Sequence, residues 1–128
     1  MKIGELAERC GLSAHTIRYY EKIGLIPYAS RDSSSQRDYD ASILIWIEFL
    51  GRLKTTGMPI RDMLRYAALR ERGVETQAER CAMLEQHRES VRTRARELAA
   101  CLLVLDNKIS GYLDQLQKDN DHDTAPPT

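Results

Sequence analysis

Apolar positions in the first ten residues fall at Ile3, Leu6, Ala7 and Cys10, steps of three and four that share one side of a helix. Gly11 tolerates the left-handed conformation that ends such a helix, and Ser13 is a natural N-cap for the next. The second helix is expected from about Ala14 to Lys22, stopping near Gly24. Two short helices joined by a tight turn containing glycine form a helix-turn-helix pattern. Residues 25–40, LIPYASRDSSSQRDYD, break the periodicity. Pro27 blocks helix, and the serine run marks a turn between two short strands, a β-hairpin wing with Arg31 on one arm and Arg37 and Tyr39 on the other. Asp40 is placed to cap a third helix, ASILIWIEFLGRLKTTG. Its Ile43, Ile47, Leu50 and Lys54 lie on one stripe, widened by Leu44, Trp46 and Phe49. Pro59 suits the first turn of a fourth helix that Gly73 closes.

A different period follows. Val91, Ala95, Leu98, Leu102, Leu105, Ile109, Tyr112 and Leu116 are spaced alternately four and three apart, a heptad seam that Leu84 extends backwards past Arg88. A helix over 76–118 is roughly 60 Å long at about 1.5 Å per residue. A head of some 73 residues has no surface to bury such a stripe, so a second copy of the chain is expected to cover it. The predicted organisation is a head over 1–73, a dimerisation helix over 76–118 and a disordered tail over 119–128, whose DNDHDTAPPT has nothing apolar to pack. The fold class is mainly α, a winged helix-turn-helix followed by a long helix that pairs as a coiled coil.

Charge changes this picture little. The 128 residues hold 19 Lys and Arg against 19 Asp and Glu. Residues 1–75 carry 12 against 10 and residues 76–128 carry 7 against 9, so any nucleic-acid contact must come from a few placed cations. The N-terminus lacks the apolar run of a secretory signal, and the stretch ASILIWIEFL is too short to span a bilayer and is broken by Glu48. A cytoplasmic, nucleoid-associated protein without a membrane partner is expected. Cys10, Cys81 and Cys101 are an odd number without CxxC spacing, which argues against a disulfide framework. Paired carboxylates, a nucleophile with its base and a phosphate loop are all absent at usable spacing, so the chain does not read as an enzyme.

On a wheel of 3.6 residues per turn, His15, Arg18 and Tyr19 share an outward ridge of the second helix, opposite the inward Ile17, while Tyr20 lies near the core boundary. Periodicity alone equally allows a solvated face. The adjoining wing, with Arg31, Arg37 and Tyr39, favours a helix for a DNA groove beside a hairpin for phosphates.

The segments IGELAERCGLSAHTIRYYEKIGLI, QRDYD and RLKTTGMPIRDM, in that order, resemble the MerR family of bacterial transcription regulators across about residues 1–70. The resemblance implies an antiparallel dimeric coiled coil and a second helix that enters the major groove. Ala14, His15, Thr16, Arg18, Tyr19 and Tyr20 match the family's groove contacts, and Arg31, Arg37 and Tyr39 match its phosphate contacts. Family members commonly have Gly-Tyr before the wing arginine; here Ser35 and Gln36 stand there. The implied mechanism is a homodimer on a near-palindromic promoter, with RNA polymerase as a partner. An unknown small effector shifts the angle between the heads, and the promoter spacer is bent and untwisted.

Metal-sensing relatives carry a cysteine at the start of the long helix, where this chain has Thr76. Cys81 and Cys101 are twenty residues apart, about 30 Å along one helix, too far to share an ion, and no metal or other cofactor is expected. The stretch MLEQHRESV…LLVLDNKISGYLDQL is similar to the aldehyde- and thiol-stress branch, yet Arg52 occupies the region where that branch tends to have its third-helix cysteine. Cys81 and Cys101 remain candidate redox sensors, with packing at or beside the seam as the alternative. A coiled-coil adaptor whose winged head binds protein is the competing function.

Overall fold

The computed structural model describes residues 1–123. Its first helix, α1 (Ile3–Cys10), ends where Gly11 turns left-handed at φ 75° and its N–H returns to the Ala7 carbonyl at 3.0 Å. After the turn, the Ser13 hydroxyl accepts from the Thr16 N–H at 3.0 Å and so satisfies one of the open donors of α2 (Ala14–Ile23). Gly24, at φ 87°, closes α2 in turn, and the Leu25 N–H donates to the Tyr20 carbonyl at 2.9 Å. That reversal drops Leu25 and Ile26 into the core beside Leu6 and Ile17, each of the four at most 1% exposed.

The wing is a minimal antiparallel pair, β1 (Ser30–Arg31) and β2 (Arg37–Asp38), with Ser30 opposite Asp38 and Arg31 opposite Arg37. Asp32 organises its tip. One carboxylate oxygen accepts from the Ser34 and Gln36 N–H groups at 2.9 and 3.0 Å, and the other oxygen takes the Lys2 ammonium. Lys2, and then these backbone donors, hold the Asp32 carboxyl well below the usual carboxylate range. Ser35 completes the turn at φ 61°, the only non-glycine in the left-handed region among the described residues.

Asp40 caps α3 (Ser42–Thr55) from two residues ahead, its carboxylate accepting from the Ser42 N–H at 2.8 Å, a bond that also lowers its pKa. Ile43, Ile47 and Leu50 of the expected stripe are buried, with Trp46, but the stripe ends there: Leu53 goes inward and Lys54 is exposed. Pro59 precedes α4 (Ile60–Glu71), whose Tyr66 ring stacks on Trp46 at 5.9 Å while the Arg70 guanidinium lies 4.3 Å over the indole. The indole N–H donates to the Leu25 carbonyl at 3.0 Å, which ties α3 to the end of the helix-turn-helix.

Gly73 opens a single 3-10 turn, Val74–Thr76, and α5 runs from Gln77 to Asp123. Thr76, 1% exposed, has its hydroxyl 2.6 Å from the Leu69 carbonyl and accepts from the Arg80 Nε–H at 3.0 Å. The first compact unit reaches Arg88, beyond residue 73, because Met83 and Leu84 pack on the head's own core and the His87 Nε2 lies 2.8 Å from the Thr56 hydroxyl. Leu84, expected at the start of the dimer seam, is half-buried and packs against the head of its own chain.

Among the described residues the second unit, from Glu89, consists of the remainder of α5. Its large apolar side chains are exposed, Leu98 at 63%, Leu102 at 58%, Leu105 at 56% and Ile109 at 54% among them. The helix also continues past Lys118, so residues 119–123 are helical, not tail. Gln115 and Gln117 donate one turn ahead to Asp119 and Asp121 at 3.3 and 3.1 Å, an i,i+4 pairing that carries the helix through a polar stretch. The rest of the expected tail, 124–128, lies outside the described residues. No described helix is long and apolar enough to cross a membrane.

Candidate nucleic-acid interface

Because Ile17 is fully buried, the opposite side of α2 must face solvent, and it carries His15, Arg18 and Tyr19 as the wheel predicts. All three are exposed, and Arg18 joins no ion pair among the described residues. The Tyr19 ring sits 6.3 Å from that of Tyr20 at a 45° tilt, so the outward tyrosine leans on one that packs against the core. Ala14, Thr16 and Tyr20 are half-buried, and the Thr16 and Ser13 hydroxyls lie 3.0 Å apart. Of the six positions matched on this helix, three form the open ridge and three flank it.

The wing contributes unequally. Arg31 is exposed, and its guanidinium donates to the Ser35 carbonyl at 3.0 Å, which steadies the side chain along the hairpin tip. Arg37 is half-buried, with its Nε 3.4 Å from a Glu21 carboxylate oxygen. Tyr39 is only 4% exposed, and its hydroxyl donates to that same oxygen. Tyr39 is thus a buried strut and its phenol is not presented as a phosphate contact, a correction to the sequence expectation. Burial, and next the adjacent carboxylate, push the Tyr39 phenol above its ordinary pKa, so it remains a donor.

Glu21 is the residue that sequence reasoning passed over. It is 1% exposed, and besides Tyr39 and Arg37 it accepts from the Ala29 N–H at 3.2 Å. A carboxylate out of water is costly unless it is paired and hydrogen-bonded, and here a cation and two neutral donors meet it. The result fastens the outer helix to both sides of the wing, so His15, Arg18 and Tyr19 hold a set position relative to Arg31. One signal was available: Glu21 follows Ile17 by four residues and so belongs to the inward face.

The candidate sensing residues are not brought together. The Cys81 thiol donates to the Glu85 carboxylate at 3.1 Å, and that bond, with the nearby negative charge, raises its pKa. Cys101 is exposed, and Cys10 is half-buried against the Ala7 carbonyl at 3.9 Å. Among the described residues no group of three His, Cys, Asp or Glu side chains could hold a metal ion.

The sequence over residues 2–39, which includes both short helices and the wing, matches the family model for MerR family regulatory proteins. An uncharacterised HTH-type transcriptional regulator of Haemophilus influenzae is 36% identical over 106 residues, covering 83% of this chain and 78% of that protein. The HTH-type transcriptional regulator AdhR of Bacillus subtilis is 38% identical over 89 residues, 70% of this chain and 64% of AdhR. Among solved structures, a MerR-family chain from Listeria monocytogenes superposes with a TM-score of 0.84 at 34% identity, covering 98% of this chain and 99% of its own. HiNmlR, a MerR family regulator lacking the sensor domain and bound to promoter DNA, gives 0.79 at 34% identity over 88% of this chain and 90% of its own. With the winged helix-turn-helix in place and relatives matched along most of its length, the chain belongs to the MerR family of DNA-binding transcriptional regulators.

Proposed function

We propose that the protein is a homodimeric regulator that binds a near-palindromic promoter operator, inserts α2 of each head into successive major grooves and grips the flanking phosphates with the wings. The observation that carries this is the Glu21 clamp. It holds an exposed ridge of His15, Arg18 and Tyr19 in a set relation to the exposed Arg31, as a surface that reads a groove and its rim together requires. Arg18 suits bidentate pairing with guanine or phosphate, Tyr19 a hydrogen bond to a phosphate oxygen, and Arg31 a charge contact to the backbone.

The exposed stripe from Leu98 to Leu116 favours an antiparallel coiled coil with a second copy, since apolar side chains at heptad spacing gain most from a matching helix. The likeness to HiNmlR, a regulator bound to promoter DNA, supports promoter DNA as the target of the heads. On this reading the dimer works in the cytoplasm, on promoter DNA that it bends and untwists for RNA polymerase, and a small effector sets the relation of the two heads.

Gel-shift titration with DNA from upstream of the protein's own gene tests the reading. Specific binding that weakens steeply with salt is expected, together with a dimeric mass by light scattering. Binding no better than to random sequence would favour the adaptor alternative.

A further inference from the structure

A cavity of about 410 Å³ opens in the head among α1, the turn after it, α2 and α3, a size typical of small-molecule pockets. Only Tyr20 is shared with the residues considered for DNA contact. Its walls are apolar, formed chiefly by Leu12, Tyr20, Leu44 and Ile47, and Arg9, Glu48 and Lys54 supply its charge.

Two features of the lining are unexplained by folding. Gly51 sits inside α3, where glycine weakens a helix relative to alanine, yet its φ is not left-handed and an added Cβ would meet nothing within 4 Å. Neither backbone nor packing calls for glycine there; at this exposed position it borders the cavity without a side chain. One turn on, the exposed Lys54 stands at the cavity's edge with a cation that joins no ion pair among the described residues. Among the described residues Arg9 pairs with Glu5 at 3.3 Å and Glu48 with Arg52 at 3.8 Å, both exposed pairs of small worth, so the lining carries two cations against one carboxylate. Positive charge is therefore in excess around an apolar hollow.

We infer that this cavity binds a small amphipathic anion, an apolar body carrying one carboxylate. The body lies against Leu12, Tyr20 and Gly51, and the carboxylate meets Lys54 and Arg9. The site stands independently of DNA binding, and its occupant would touch α2 through Tyr20.

Calorimetric titration of the full-length protein with hydrocinnamate, and with hydrocinnamyl alcohol as its uncharged analogue, tests the inference. One saturable site per chain is expected for hydrocinnamate, with the alcohol about tenfold weaker because it lacks the charge-assisted bond. Lys54→Gln should bring hydrocinnamate close to the alcohol and leave the alcohol unchanged. Gly51→Leu fills the hollow and should abolish both. Absence of saturable hydrocinnamate binding to the wild type overturns the inference, as does unchanged binding by a folded Gly51→Leu. Should Gly51→Leu fail to fold, Gly51→Ala, which helix propensity favours, must bind several-fold more weakly; equal binding would reject the site.

Discussion

The Tyr39 hydroxyl donates to the Glu21 carboxylate, and this buried contact joins the end of the wing to the groove-facing helix. Tyr39→Phe leaves the carboxylate one donor short and should cost about 1.5–3 kcal/mol of stability by chemical denaturation. Glu21→Ala strands the Arg37 charge and two donors and should cost more, roughly 3–5 kcal/mol. If Tyr39 is a strut, operator affinity measured where Tyr39→Phe is fully folded should fall less than in Arg31→Ala. A larger loss in Tyr39→Phe would return its hydroxyl to the DNA surface.

The ridge and the wing should differ in kind. Arg18→Ala is expected to lose about 1–3 kcal/mol of operator binding and to relax sequence preference, as for a base-edge contact. Arg31→Ala should weaken specific and random DNA alike and reduce the salt slope by about one. Gel shifts over a salt series separate the two patterns, and identical behaviour would refute the division of roles.

Ser35 adopts φ 61°, a left-handed conformation that disfavours a residue with a Cβ by roughly 1–2 kcal/mol, partly regained through lower freedom in the unfolded chain. Ser35→Gly should therefore stabilise the head by about 0.5–1 kcal/mol and raise its melting temperature by a few degrees. A decrease would mean that the serine hydroxyl has a role in the wing.

Acid should loosen the wing first. Asp32 and Asp40 both have folded-state pKa values below the ordinary one, Asp32 through Lys2 and backbone donors, Asp40 through Ser42. A depressed carboxylate stabilises fully above its unfolded pKa, near 4, and loses that contribution as pH falls below it towards the folded value. Amide exchange at Ser34 and Gln36 should rise as pH drops below about 4, after correction for intrinsic rates. Asp32→Asn should show weak protection already at neutral pH and little further change.

Glu85 holds the Cys81 thiol protonated at 3.1 Å, contrary to the low pKa of a reactive cysteine. Alkylation of Cys81 by iodoacetamide near neutral pH should be slower than that of a free model thiol, and Glu85→Gln should speed it several-fold. Fast alkylation of the wild type would favour Cys81 as a redox sensor.

Local pattern made much of this molecule legible. Ser13 and Gly11 set the helix-turn-helix because capping and left-handed turns need only neighbouring atoms, and Ile17 oriented the ridge because 3.6 residues per turn leaves one solution. The wing's position was likewise readable from Pro27 and the serine run, and the unburied stripe on α5 from its heptads.

Other features depended on which distant segments meet. Tyr39 and Glu21 are eighteen residues apart, and only the packing of wing on helix turns an expected phosphate ligand into a buried donor and an ordinary glutamate into a clamp. Leu84 satisfied the seam's spacing, but spacing alone does not show that the same side chain also packs against the chain's own head. The sequence by itself determined periodicity, caps and turns, which are short-range; the tertiary structure decided which polar groups leave water together, since the cost of burying a charge is settled only by the partners that arrive with it.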